Sequence, residues 1–186
     1  MIRVTSGKYR GRSVDSPPRN KQIRPTTSLM RESIFNKLQM QLPGCRFLDL
    51  FAGSGIMGLE ALSRGADFVL AIEQDAEQCR VIRKNFTHIG LSEKEVKVVP
   101  CDAFGLMKKP CREEPFDFVF ADPPYGFKAL PELVAQCQKN GWLKPGGLMI
   151  VEHGSRDETL EGFTRKLYGD TAISIRRFDT DSSSEG

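Results

Sequence analysis

From Arg46 onward the chain alternates short apolar runs with amphipathic stretches, and the runs end at carboxylates, glycines or prolines. The runs span residues 47–51, 68–72, 96–99, 116–121 and 148–152. Between them, residues 75–88 and 130–140 read as helices. Asp75 is placed to cap the first of these, with Gly90 as its stop, and Gly141 ends the second. A strand that is apolar on both faces must be covered on both faces. Strand and helix alternating in this way predict an α/β fold: a mostly parallel, doubly wound sheet of Rossmann-like type with helices on both faces. Residues 167–168 and 172–178, around Gly169-Asp170, predict a closing antiparallel pair that brings the sheet to seven strands.

The region before Arg46 is different. Residues 1–46 hold ten Lys or Arg and only two acids, Asp15 and Glu32, so they carry +8. The whole chain carries +3, which leaves −5 for the rest. A basic segment on a mildly acidic body suits a polyanionic partner, and equally a solubilising terminus. Residues 2–5 and 8–14 read as an irregular hairpin through Ser6-Gly7. Residues 29–42 read as a helix, with Met30, Ile34, Leu38 and Leu42 on one stripe, Leu29 and Phe35 beside it, and Thr26 or Thr27 as its cap. The expected organisation is a basic arm over residues 1–27, a catalytic body over 28–178 and a disordered acidic tail over 179–186.

Five cysteines without CxxC spacing and only two histidines, His88 and His153, argue against a zinc cluster. No metal is expected. The cysteines read as reduced thiols and the two histidines as incidental polar or packing residues. The opening is basic with no apolar leader core, and no apolar run approaches the roughly 20 residues that span a bilayer. The expected setting is the cytoplasm.

In such sheets ligands bind at the carboxyl ends of the strands. Asp49-Leu50-Phe51-Ala52-Gly53-Ser54-Gly55 follows the first strand of the sheet, and Gly58 completes the spacing Gly53-x-Gly55-x-x-Gly58. Gly53 and Gly55 permit a tight turn and close approach of a ligand to the backbone. Glu73 closes the next strand, where a carboxylate accepts hydrogen bonds from ribose hydroxyls. These features call for a nucleoside-type cofactor and fit NAD as well as S-adenosyl-L-methionine. Asp102 follows the third strand of the sheet. It reads either as the partner of an adenine amino group or as a helix N-cap.

Asp122-Pro123-Pro124-Tyr125 follows the run at 116–121 and resembles the catalytic motif of methyltransferases that act on amino groups. An exocyclic amino nitrogen is a poor nucleophile because its lone pair is delocalised into the ring. The Asp122 carboxylate and the Pro123 carbonyl are two acceptors for its two N–H groups, and the fixed proline φ holds them in a set geometry. Tyr125 offers a flat face for an extruded base. No metal and no covalent enzyme intermediate are needed.

The N-terminal half also resembles one family. Ile2-Arg3-Val4, Gly7-Lys8-Tyr9-Arg10-Gly11-Arg12, Arg24-Pro25-Thr26-Thr27 and Arg31-Glu32-Ser33-Ile34-Phe35-Asn36, followed by Phe51-Ala52-Gly53-Ser54-Gly55 and Asp122-Pro123-Pro124-Tyr125, are similar to bacterial 16S rRNA guanine-N2 methyltransferases of the RsmD type. The resemblance implies a class I S-adenosyl-L-methionine-dependent methyltransferase acting on one guanine, position 966 in the family's nomenclature, of 16S rRNA or the small ribosomal subunit. It implies cofactor contacts from Asp49, Gly53, Gly55, Glu73 and Asp102, with Thr26 and Thr27 bordering the cofactor. Catalysis would fall to Asp122, Pro123 and Tyr125. On the residues themselves, Lys8, Arg10, Arg12, Arg19 and Arg24 suit phosphate contacts and Tyr9 suits stacking on a base. Arg31 reads either as an RNA contact or as a partner of Glu32 or the body. The competing readings are DNA adenine-N6 methylation, which uses a similar tetrapeptide, a nicotinamide-dependent oxidoreductase, which leaves the tetrapeptide without a role, and a non-catalytic RNA-binding protein.

Overall fold

The computed structural model describes residues 1–15, 27–124 and 126–179. A short antiparallel hairpin, β1 (Ile2–Arg3) and β2 (Ser13–Val14), comes first. Helix α1 (Ser28–Leu38) leads into the sheet, which contains β3 (Arg46–Asp49), β4 (Phe68–Glu73), β5 (Val96–Pro100), β6 (Phe116–Ala121), β7 (Leu143–Gly154), β8 (Thr164–Tyr168) and β9 (Thr171–Arg177). Between the strands lie α2 (Ile56–Ser63), α3 (Ala76–Ile89), α4 (Ala103–Met107) and α5 (Leu130–Lys139). The seven strands run in the order β5-β4-β3-β6-β7-β9-β8. The first five in that order are parallel, and β9 and β8 close the sheet antiparallel. This is the Rossmann-like, mostly parallel seven-stranded sheet that the alternating pattern predicts. The chain steps outward from β3 to β5, then returns to the other side of β3 as β6. The switch in strand order therefore lies between β3 and β6, where ligands of open α/β sheets bind.

Side chains along each strand divide between two cores. Phe47, Phe118, Phe120 and Ile150 pack with α1, α2 and α3, around Phe35, Leu59, Ile82 and Phe86. Leu48, Val119, Met149 and Val151 pack on the opposite face with α4 and α5, around Met107, Leu133 and Trp142. Successive residues point to opposite faces, so a strand between two helix layers needs apolar residues at every position.

Several boundaries differ from the sequence reading for physical reasons. Helix α1 ends at Leu38, and Gln39–Gln41 form a 3-10 turn. Met30, Ile34, Phe35, Leu38 and Leu42 are all buried, but Leu29 is 78% exposed, because it lies off the stripe that faces the sheet. The strand at 148–152 starts earlier than its apolar run: Leu143 to Gly147 belong to β7 itself. Its register against β6 shifts between Phe116 and Phe118. Gly146 (φ +78°) and Pro145 take up that irregularity, and Gly146 and Gly147 exchange backbone hydrogen bonds with Phe178. Helix α4 was not foreseen as an element. It has five residues, too few to show a helical period. The tail beyond Asp179 lies outside the described residues.

The hairpin is fastened to the body. Val4 and Val14 are buried in the core beside α2 and α3. Glu60 of α2, 0% exposed, accepts from the Thr5 amide (2.9 Å), the Thr5 hydroxyl, the Ser6 amide (3.2 Å), Arg31 Nε (3.3 Å) and Arg64 Nε (3.0 Å). Arg31 Nη2 also donates to the Arg3 carbonyl at 2.7 Å. Arg31 is thus buried and paired with the body, the second of its two sequence readings. At Gly7 (φ +81°) an added Cβ would lie 1.8 Å from the Ser63 carbonyl oxygen, so the turn approaches α2 as closely as a glycine allows.

Candidate active site

Asp49 ends β3 at the switch point. It is 1% exposed, and neither carboxylate oxygen has a hydrogen-bond partner. Burial pushes its carboxyl up to about 7, and neighbouring Glu73 adds to the rise. The Phe51 and Gly58 amides oppose it without closing hydrogen bonds of normal geometry. After β3 the chain turns through Gly53 (φ +55°) and Gly55 (φ +79°), and Gly55 is the N-cap of α2. A Cβ on Gly55 would lie 2.9 Å from Ile82 Cγ2, and one on Gly58 would lie 2.7 Å from Val69 Cγ1. Gly55 therefore serves turn geometry and packing together, whereas Gly58 serves helix–sheet packing.

Glu73 closes β4 and reaches across to that turn. Its Oε2 accepts from the Gly53 amide and its Oε1 from the Asp75 amide, each at 3.0 Å. Each oxygen keeps lone-pair capacity for a ligand hydroxyl. Asp102 follows β5 and is the N-cap of α4, its Oδ2 accepting from the Gly105 amide at 2.6 Å. The capping role is therefore real. Thr27 is exposed and caps α1, its hydroxyl accepting from the Met30 amide at 3.2 Å.

Asp122 and Pro123 follow β6, the strand hydrogen-bonded to β3 on the far side of the switch. Burial holds the Asp122 carboxyl well above the usual carboxylate range, and Glu152 and Asp49 push it further in the same direction. The structure thus brings Asp49, Asp122 and Glu152 together from three adjacent strands, β3, β6 and β7. Glu152, 6% exposed, was missed as a site residue. Its signal was nonetheless present: Met149-Ile150-Val151-Glu152 is an apolar run closed by a carboxylate, as at Asp49 and Glu73. Also missed was an aromatic wall at this end, joining the turn after β3, helix α4 and the segment after β6. Phe127 meets Phe51 and Phe104 edge to face, with ring centroids 5.9 and 6.0 Å apart.

Of the basic residues, Lys8, Arg10 and Arg12 are exposed on the hairpin. Tyr9 is half-buried against the core, with Lys8 Nζ 5.0 Å from its ring centroid. Arg19, Arg24, Thr26 and Tyr125 lie outside the described residues. His153 is buried and hydrogen-bonded to Ser174 at 2.8 Å. Among the described residues no helix is long and apolar enough to cross a membrane, and no group of His, Cys, Asp or Glu is arranged to hold a metal.

A sheet in this strand order, with a glycine turn after β3 and carboxylates closing successive strands, defines a Rossmann-like class I methyltransferase. The chain belongs to the family described as Conserved hypothetical protein 95, whose model matches residues 2–177. The ribosomal RNA small subunit methyltransferase D of Haemophilus influenzae is 35% identical over 152 residues, 81% of this chain and 78% of that protein. The solved structure of the yhhF protein of Escherichia coli superposes with a TM-score of 0.84 at 31% identity, covering 96% of this chain and 98% of that one. A Thermus thermophilus 16S rRNA N2 G1207 methyltransferase, solved with AdoMet and guanosine, shares the fold at 18% identity and a TM-score of 0.66. It covers 86% of this chain and 44% of that one.

Proposed function

We propose that this chain methylates the exocyclic N2 amino group of a guanine in 16S rRNA, the position-966 type, with S-adenosyl-L-methionine as donor. The observation that carries the reading is Asp49 at the switch point, both of its oxygens buried without partners, with Asp122 following the adjacent strand β6. Buried carboxylates without hydrogen bonds are unfavourable unless a cation or donors arrive. S-adenosyl-L-methionine fits, because it carries a sulfonium and an ammonium as well as a ribose diol for Glu73. Asp49, Gly53, Gly55, Glu73 and Asp102 would hold it, with Thr26 and Thr27 at its border. When bound it supplies an electrophilic methyl group for in-line displacement.

The chain's own residues do the rest by position and charge. The Asp122 carboxylate and the Pro123 carbonyl accept the two N–H groups of the guanine amine and leave its lone pair directed at the methyl group. Ionised, Asp122 is an acceptor-only group and the stronger acceptor. Desolvation and its two carboxylate neighbours favour the protonated form, and a cation at the switch point restores the ionised one. Tyr125 stacks on the extruded base. The basic part over residues 1–27, through Lys8, Arg10, Arg12 and Arg24, meets phosphates and positions the RNA, with Tyr9 among them. Residues 28–178 form the catalytic body, and the tail from 179 takes no part. The name of the Haemophilus influenzae relative supports an rRNA substrate, and the proposed setting of the reaction is the cytoplasm.

The test is transfer of a labelled methyl group to 16S rRNA, assembled small subunits and duplex DNA, in parallel. Label in RNA supports the reading. Label in DNA alone replaces it with adenine-N6 methylation of DNA.

A further inference from the structure

Asn85 is a polar residue on an apolar helix face. It sits on α3 between Ile82 and Phe86, which are 0% and 2% exposed, and is itself 6% exposed. An amide in that position is costly unless it is hydrogen-bonded. Its bonds all leave the helix. Oδ1 accepts from the Asp15 amide at 3.0 Å, and Nδ2 donates to the Asp15 carbonyl at 3.1 Å and to the Ser54 carbonyl at 3.3 Å. Two carbonyls on one side and an amide on the other permit only this orientation of the side-chain amide.

The two elements so joined are functionally distinct. Asp15 directly follows β2 of the basic hairpin. Ser54 is the residue between Gly53 and Gly55, the two positive-φ positions of the turn after β3. The hairpin has separate anchors in Glu60, Ser63 and the buried Val4 and Val14, so the Asn85 bridge is not what attaches it to the fold. What the bridge adds is a fixed relation between the end of the hairpin and the peptide of the turn.

We infer that Asn85 is a positioning residue that couples the seating of RNA on the basic hairpin to occupancy of the glycine turn by the cofactor. The inference rests on the functional reading above. A ligand that holds the turn in place also holds the Ser54 carbonyl, and through Asn85 the backbone of Asp15. RNA held on the hairpin fixes the same atoms from the other side. Such coupling is reciprocal: each ligand tightens the other by the same factor.

The experiment measures equilibrium binding of labelled S-adenosylhomocysteine with and without saturating deproteinised 16S rRNA, and of rRNA with and without S-adenosylhomocysteine. The proteins are wild type, Asn85→Ala and Asn85→Asp. The aspartate variant is nearly isosteric and keeps the acceptor for the Asp15 amide but loses both N–H donors, so it carries the test if alanine impairs folding. In the wild type each ligand should tighten the other by about 5-fold or more, the lower end of ordinary coupling. In the variants both ligands should still bind, with a coupling factor close to one. A coupling factor retained in the variants while the separate affinities fall would make Asn85 merely structural and overturn the inference, as would a wild-type factor of one. Failure of the wild type to bind S-adenosylhomocysteine or rRNA at all would instead overturn the functional reading.

Discussion

The Gly53 amide donates to Glu73 Oε2 at 3.0 Å, so the turn after β3 and the end of β4 form one unit. In the proposed function the same carboxylate also receives the ribose of the cofactor, so its loss should affect both tasks. Glu73→Gln keeps an acceptor oxygen but loses the charge. A hydrogen bond to a charged group is worth about 1.5–3 kcal/mol. Calorimetry should therefore show S-adenosylhomocysteine binding weakened by roughly 10- to 100-fold, and the melting temperature should also fall, because the amide can accept from only one of the Gly53 and Asp75 N–H groups. Unchanged affinity would remove Glu73 from the cofactor site.

Asp122→Ala removes one of the two proposed acceptors and relieves repulsion among three carboxylates. Turnover should fall by roughly 10²-fold or more, as it does when a preorganised polar group is lost. Binding of S-adenosylhomocysteine should persist, and thermal stability should not decrease. Wild-type turnover would exclude Asp122 from catalysis.

Asp49 predicts a pH dependence of stability in the ligand-free protein. Its folded carboxyl titrates at about 7 against an ordinary 3.8. The folded state therefore binds the proton more tightly than the unfolded chain. Stability from this group is present at low pH and is lost as pH rises from about 4 through about 7. The cost at higher pH is on the order of 4 kcal/mol. Denaturant titrations of wild type and Asp49→Asn should diverge across that interval, with the variant gaining on the wild type as pH rises. Parallel curves would refute the assignment.

Glu60→Ala leaves Arg31 buried with its Coulomb partner gone and frees two backbone amides of the hairpin. Breaking a buried ion pair from one side costs about 3–5 kcal/mol. Chemical denaturation should register that loss, and a change under about 1 kcal/mol would show that water replaces the carboxylate freely.

Neutralising Lys8, Arg10 and Arg12 together should weaken RNA binding and flatten its salt dependence. Each phosphate contact to single-stranded RNA contributes roughly 0.7 to the slope of log affinity against log salt, so three lost contacts reduce it by about 2. An unchanged slope would place the RNA elsewhere on the surface.

The sheet was legible because β3, β4 and β6 are largely apolar and each run is closed by a carboxylate, at Asp49, Glu73 and Asp122. The cofactor turn was legible because glycine spacing reports backbone geometry directly. What escaped notice depends on partners distant in sequence. Glu60 reads as an ordinary helix carboxylate until Thr5, Ser6 and Arg31 converge on it. Asn85 reads as a surface polar residue until α3 is laid against the turn at Ser54. Strand β7 was read short because Pro145-Gly146-Gly147 has the composition of a turn, and only pairing with β6 and the bonds to Phe178 keep it in the sheet.

The most direct measurement is a mass-spectrometric map of nucleosides in 16S rRNA after incubation with the purified protein and S-adenosyl-L-methionine. The account predicts one new N2-methylguanosine, absent when Asp122 is replaced by alanine. A methyl group on adenine N6, on a ring nitrogen or on carbon would contradict it, and so would a product formed equally well without Asp122.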